Sequence, residues 1–371
     1  MKNKKLIVDT VSLLSPITGI GRYTYEIIKE LQKDNTIDLN YFYGYHTKEF
    51  VEPWQKTTFK NVKNILSRFS LLKKISREML LFLASFKSEQ YDIYWQPNFI
   101  PNKYIKCNKL VTSVHDFSFE LYQDFHPKER INYFKKYFYK NVLKSDVIIT
   151  GSEYTKQEIL KKFDFRDENV KVIYHGIKHD IFKKYENIEI EMELPQKFIL
   201  SVGSIEPRKN LLGLLEAYSL LDKKIKEEYK LVLIGFKGWN NKEIKKVLDK
   251  NKENIFYLGF VSDEELAKVY NLASCFIFPS FYEGFGLPPI EAMACGTPVV
   301  ASNTTSIPEI CIDAALYCDP NNIEDIKNKI LNIIEDDNLS SSLIIKGLER
   351  AKDFSWEKSA KQHIEIFNEL V

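Results

Sequence analysis

The chain has 371 residues, 44% hydrophobic and 28% charged, with 14 glycines and 13 prolines. At about 100–200 residues per domain that length points to two domains, and the composition excludes disordered, collagen-like and low-complexity architectures. The net charge is only +2, but residues 1–185 hold 32 Lys and Arg against 21 Asp and Glu, while the rest holds 21 against 30, so a basic front half precedes an acidic back half and suits an anionic partner such as a lipid surface.

Along the chain, short apolar runs alternate with longer amphipathic ones, the pattern of βαβ units and parallel sheets. The basic start, Lys2 to Lys5, is followed by an apolar run that Asp9 interrupts too early for a signal peptide, so it reads as a first strand over 6–9. Further strands are predicted at 39–43, 93–96, 109–114, 147–150 and 170–173, with helices such as 23–32 and 132–144 between them. Charged residues dominate 181–196, and a linker is predicted at 186–197. A second series then places strands at 198–202, 230–234, 255–258, 275–278, 299–301 and 315–318. The longest apolar run, residues 79–84, falls far short of the ~18–20 residues a membrane span needs, so a cytoplasmic protein is expected. Residues 63–87 set Lys63, Arg68, Lys73, Lys74 and Arg77 among Phe69, Leu72, Ile75, Met79 and Phe82, the composition of an interfacial amphipathic helix, and Lys135 to Lys140 add a second basic, aromatic run.

Metal and nucleic-acid chemistry find little support. The five cysteines form no C-x-x-C pair and are expected as buried free thiols, and the six histidines contain no H-E-x-x-H. No Asp-x-Asp occurs, so no metal–diphosphate clamp is expected, and no nucleic-acid recognition motif accompanies the basic half.

The chemistry concentrates in the back half. Residues 279–300 follow an apolar strand with Glu283, Gly284, Phe285, Gly286 and Leu287, then Pro288, Pro289 and Glu291, and end at Gly296 and Pro298. Prolines suit the first helical turn, and a glycine loop opening a helix presents unpaired N–H groups that favour a phosphate. The two glutamates lie eight residues apart, able to bind hydroxyls on either side of that phosphate. After the strand at 198–202 come Gly203, Ser204, Arg208 and Lys209. Cations at that edge suit a phosphate-bearing ligand.

The run E-G-F-G-L-P-P-I-E-A-M-A-C-G-T-P-V-V resembles the donor motif of the family 4 glycosyltransferases, retaining enzymes of the GT-B fold, and G-S-I-E-P-R-K-N resembles a second element of that family. The resemblance covers nearly the whole chain. It implies two Rossmann-like parallel-sheet domains facing a central cleft: 1–185 for the acceptor, 198–353 for the nucleotide sugar, and a terminal helix in 354–371 packing back on the first domain. Glu283 would face the donor sugar and Glu291 the ribose hydroxyls, with Arg208 and Lys209 on the diphosphate. Many members carry arginine where this chain has Ser204, which shifts weight to Arg208. Gly19 and Gly21 resemble the family's first loop across the cleft. His115 matches a histidine near the donor sugar, and Asp116 is expected to orient that ring or an acceptor hydroxyl. Val261 belongs to the segment that meets the base. Ser152 is read as a helix cap, His175 replaces a usual asparagine at the exit from the first domain, and Glu309 lies in a P-E element near the donor pocket.

The implied activity is transfer of a hexose, with mannose from GDP-mannose favoured, to a glycan or lipid-linked saccharide acceptor in surface polysaccharide assembly, without cofactor or metal, by a protein docked on the cytoplasmic face of the inner membrane. A UDP- or dTDP-sugar donor, and a non-catalytic sugar-nucleotide-binding scaffold, remain the alternatives.

Overall fold

Residues 198–202 and 275–278 alternate their side chains between two apolar clusters: Leu200, Phe276 and Phe278 face one side, Ile199, Cys275 and Ile277 the other. A strand apolar on both faces requires cover on both, which is how parallel sheets in α/β folds are built. The computed structural model, which describes residues 4–14, 19–53, 89–235, 244, 246, 248, 251 and 253–371, contains two such sheets.

The first has seven strands in the order β3-β2-β1-β4-β5-β6-β7: β1 (Lys4–Asp9), β2 (Ile37–Phe42), β3 (His46–Thr47), β4 (Tyr91–Gln96), β5 (Cys107–Ser113), β6 (Val147–Thr150) and β7 (Val170–Val172). All pairs are parallel except β2–β3, a short antiparallel edge absent from the predicted elements. The second has six, in the order β10-β9-β8-β11-β12-β13: β8 (Phe198–Val202), β9 (Lys230–Ile234), β10 (Ile255–Gly259), β11 (Cys275–Phe278), β12 (Val299–Ser302) and β13 (Ala315–Cys318). In each sheet the order reverses beside the first strand, at β1/β4 and at β8/β11. Ligands of open α/β sheets bind at the carboxyl ends of strands flanking such a point.

Between the sheets the chain is not loose. Ile190, Met192 and Leu194 pack on the second core. The final helix, Trp356–Glu369, returns to the first domain, burying Trp356, Ala360, Ile366 and Phe367 with Leu6, Val8 and Trp95. Four cysteines are buried and Cys107 is half-buried, all as free thiols. No helix among the described residues is long and apolar enough to cross a membrane. The segment 63–87 lies outside the described residues. In the second basic run, Lys135, Lys136 and Lys140 are exposed, but of its three aromatics Phe138 is buried in the core and Tyr139 donates to Glu120.

Candidate active site

The carboxyl ends of β8 and β11 carry a cluster of buried and half-buried charges. Pro207–Lys209 forms a single 3-10 turn, closed by Asn210 in the left-handed region at φ 55°. Asn tolerates that conformation better than most residues. The turn throws both cations toward the end of β11: Arg208 donates to the Tyr282 carbonyl at 2.6 Å and to Glu283 Oε2 at 2.9 Å, and Lys209 donates to Glu283 Oε1 at 2.7 Å. Burial alone would push the Glu283 carboxyl up, but the two cations outweigh it and hold it at about 2. Burial lowers Lys209, which also lies 5.1 Å from the Phe278 ring, while Arg208 is raised because Glu283 and Asp116 more than offset its burial. Next to this cluster, Gly203, Ser204, Lys209, Tyr257 and Phe278 line a small cavity between the strand ends.

Glu283 leads into Gly286, whose φ of 109° suits glycine and opens the helix Leu287–Ala294. Glu291, on that helix, is buried, and burial raises its carboxyl against the pull of Arg22. Arg22 reaches it from the first domain, donating to Glu291 Oε1 at 2.7 Å and to Asp263. The two motif glutamates therefore sit in opposite electrostatic states, one strongly ionised between two cations of its own domain, the other bridged across the cleft.

The first-domain wall touches the loop at 283–286 directly. A methyl group on Gly284 would stand 1.9 Å from the His115 carbonyl oxygen, so only glycine permits this approach. Ser152 Oγ donates to the Gly284 carbonyl at 2.8 Å, and Tyr282 Oη accepts from the Phe117 amide at 2.9 Å while donating to Glu158 at 2.5 Å. Glu309 accepts from the amides of Glu153 and Tyr154 at 2.7 and 3.0 Å, capping a first-domain helix from the second domain.

Comparison with known proteins matches residues 17–181 to Glycosyltransferase Family 4 and residues 184–350 to Glycosyl transferases group 1. O-antigen chain mannosyltransferase B of Escherichia coli is 33% identical over 99% of this chain and 100% of its own length. The chain belongs to the family 4 glycosyltransferases. O-antigen chain mannosyltransferase RfbU of Salmonella typhimurium is 26% identical over 88% of the chain and 90% of its own. The sucrose-phosphate synthase of Thermosynechococcus elongatus shares the fold at a TM-score of 0.73 and 18% identity over 99% of both chains. WaaG, a glycosyltransferase involved in lipopolysaccharide biosynthesis, does so at 0.67 and 14% over 98% of this chain and 99% of its own.

For this family 4 member, the fold expected from the resemblance is the one observed, and Arg208, Lys209, Glu283, Gly284, Gly286 and His115 are gathered at one place. Several local expectations need correction. The His115 ring is oriented by the Pro97 carbonyl, to which Nε2 donates at 2.7 Å, and not by Asp116. Asp116 instead accepts from the Ser118 amide and hydroxyl at 3.0 and 2.8 Å. Its local turn needs that acceptor more than the imidazole does. Burial lowers the His115 pKa, which favours a neutral ring. Gly19 and Gly21 stand in the first turn of the helix Gly19–Leu31, not in a loop, because the helix starts earlier than Tyr23. Ser204 donates to Glu206. Ser152 does cap its helix, accepting from the Thr155 amide at 3.1 Å, and it also crosses to Gly284. Phe285 packs on His175 at 4.6 Å between ring centres. Leu287 and Val261 are half-buried against the second core. The sequence motifs do not single out Arg22, Tyr282, Glu158 or Asp263. Arg22 had a signal, as a cation directly after a Gly-Ile-Gly run, but its partners lie 269 and 241 residues away.

Proposed function

We propose that this glycosyltransferase moves a mannosyl group from GDP-mannose to a hydroxyl of a glycan or lipid-linked saccharide during surface polysaccharide assembly, with retention of anomeric configuration. The observation that carries the reading is the convergence of Arg208 and Lys209 on Glu283 at the β8/β11 switch point. A nucleoside diphosphate entering there offers both cations a stronger anionic partner than a single carboxylate. The cations then exchange Glu283 for phosphate oxygens, and Glu283 is released to accept from the sugar hydroxyls. As the bond to the anomeric carbon lengthens, charge gathers on the leaving phosphate. Arg208 and Lys209 therefore stabilise the transition state more than the ground state. In this reading the two cations take the place of a metal on the diphosphate. Glu291 takes the ribose hydroxyls, with Arg22 free to follow the nucleotide. The departing phosphate accepts the acceptor's proton on the face from which it leaves. The mannosyl assignment draws on the two O-antigen relatives, and the basic front half supports a peripheral position on the cytoplasmic face of an anionic membrane.

A ligand that binds only the folded state raises the melting temperature. Thermal shifts with GDP, UDP and dTDP, each with its sugars, followed by a transfer assay, test the reading. Stabilisation by GDP and GDP-mannose together with mannosyl transfer is expected. Selective stabilisation by UDP or dTDP would replace the donor. Donor binding without transfer or hydrolysis would favour the scaffold reading, and absence of binding to anionic vesicles at low salt would remove the membrane.

A further inference from the structure

Tyr282 reaches from the second domain into the first. Its side chain is only 1% exposed and lies against the rings of Tyr122 and Tyr154, at 5.6 and 6.2 Å between centres. Its hydroxyl is held by two first-domain groups: it accepts from the Phe117 amide at 2.9 Å and donates to Glu158 Oε2 at 2.5 Å. Phe117 follows His115 by two residues, and Glu158 stands on the helix Glu153–Lys162. Burial, with the Asp116 and Glu158 carboxylates, raises the Tyr282 hydroxyl, so it keeps its proton and remains a donor.

The backbone of the same residue serves the charged cluster. The Tyr282 carbonyl accepts from Arg208 Nη1 at 2.6 Å, and the amide of the next residue, Glu283, donates to Thr305 Oγ1 at 3.1 Å. Carbonyl and amide belong to one planar peptide unit, so they turn together. One residue earlier, the Phe281 amide donates to the Arg208 carbonyl at 3.0 Å. Arg208 is thus tied at its main chain by residue 281 and at its guanidinium by residue 282. A guanidinium is a rigid planar fork, so anchoring one nitrogen on a carbonyl sets the direction of its other N–H groups. A displacement of the first domain therefore reaches Arg208 through the Tyr282 hydroxyl, its ring and the 282–283 peptide.

We propose that Tyr282 is a positioning residue: seated on Phe117 and Glu158, it sets the direction in which Arg208 presents its guanidinium to a diphosphate. This rests on the reading of Arg208 as a diphosphate ligand. Calorimetric titrations of the full chain with GDP, UDP and dTDP select the nucleotide that binds the wild type, and that nucleotide is then titrated into the variants. Tyr282→Phe keeps the ring and removes both hydroxyl bonds, and should weaken binding by about tenfold. Glu158→Leu removes the acceptor from the first-domain side and should do the same, so the matter is decided even if Tyr282→Phe fails to fold. Glu158→Gln, whose amide oxygen still accepts, should stay within about twofold of the wild type. Arg208→Lys keeps the charge but not the fork, and should cost about tenfold by itself. Added to it, Tyr282→Phe should cause less than about a twofold further loss, because the group through which it acts is gone. A full further loss in that double variant would show that Tyr282 acts independently of Arg208 and overturn the inference. Wild-type affinity in Tyr282→Phe and Glu158→Leu, or equal losses in Glu158→Gln and Glu158→Leu, would overturn it too. In each of these cases a weakened Arg208→Lys leaves the diphosphate reading standing. Unchanged affinity in Arg208→Lys, or no binding of any of the three nucleotides, would remove that reading and the inference with it.

Discussion

The two walls of the cleft use opposite chemistries. On the second domain, charge faces charge: Arg208 and Lys209 against Glu283, at 2.9 and 2.7 Å. On the first, away from Arg22, the strand ends are occupied by hydrogen bonds and rings, with the Asp9 carboxylate as one acceptor. Gln96 donates to Asp9 and to the Ile100 carbonyl, and Tyr23 connects Ser113 to His363 while its ring meets His115 at 5.1 Å. The two walls are thus suited to different tasks. On the second wall both cations already face an anion, whereas on the first the polar groups at the strand ends bond mostly to one another.

The contrast can be broken most severely at Arg208. Arg208→Ala should lower transfer by roughly 10²–10³-fold, the cost of one preorganised donor at a developing charge, and should lower the melting temperature because Glu283 loses a partner. Full turnover in a steady-state assay would show that the charged wall is structural only. Gly284→Ala attacks the contact between the walls. Its methyl would collide with backbone at His115, and a misplacement of that kind should reduce turnover by about 10²-fold and enlarge the particle in small-angle scattering. An unchanged profile would mean that this contact is not used in catalysis. Arg22→Ala removes the bridge from the first wall to Glu291 and should lower donor kcat/KM by about tenfold, equivalent to roughly 1.4 kcal/mol. Equal constants for the variant and wild type would reduce the bridge to a resting contact.

Stability against pH sharpens the same comparison. Burial lowers His363 from 6.5 to about 4, so the folded state holds it neutral. Between those values the unfolded chain binds more protons, so stability falls as pH drops from 6.5 toward 4, by roughly 3 kcal/mol from this group. Glu283 is lowered from 4.5 to about 2, and its contribution, intact above 4.5, is lost only below that value as pH falls toward 2. The first wall should therefore weaken before the second. Melting curves from pH 7 to 4 should show the early loss, and His363→Asn should flatten it. A wild-type curve with no slope above pH 5 would contradict the assignment. The smallest effect is expected from Glu309→Gln, which weakens the cap on Glu153–Lys162 and should cost about 1 kcal/mol, read as a lower melting temperature.

Most strands of both sheets were legible because they are short apolar runs bounded by polar turns, and the period-two alternation of residues such as Ile199, Leu200, Cys275 and Phe276 follows from burial on both faces. Helix starts were less legible. Gly19 opens its helix although glycine is a poor helix former, because Thr24, Tyr23 and Ile27 are drawn into the core behind it. The second-domain wall could be read as a unit since Arg208 and Lys209 are adjacent in sequence and Glu283 and Gly284 share one loop. Pairing with a first-domain group could not, because Arg22 and Glu291 are 269 residues apart.

Sequence alone determined the two βα series and the glycine-bounded loop that opens the helix Leu287–Ala294, since these depend on local periodicity, turn preference and residue type. Tertiary structure decided how the charges are shared. Whether a carboxylate is held at about 2, like Glu283, or raised, like Glu291, depends on which cations lie within a few ångströms and how much water is excluded. The docking of Gly284 on His115 and the Glu309 cap across the cleft likewise arise only where two domains meet, because each needs partners that the chain brings together by folding.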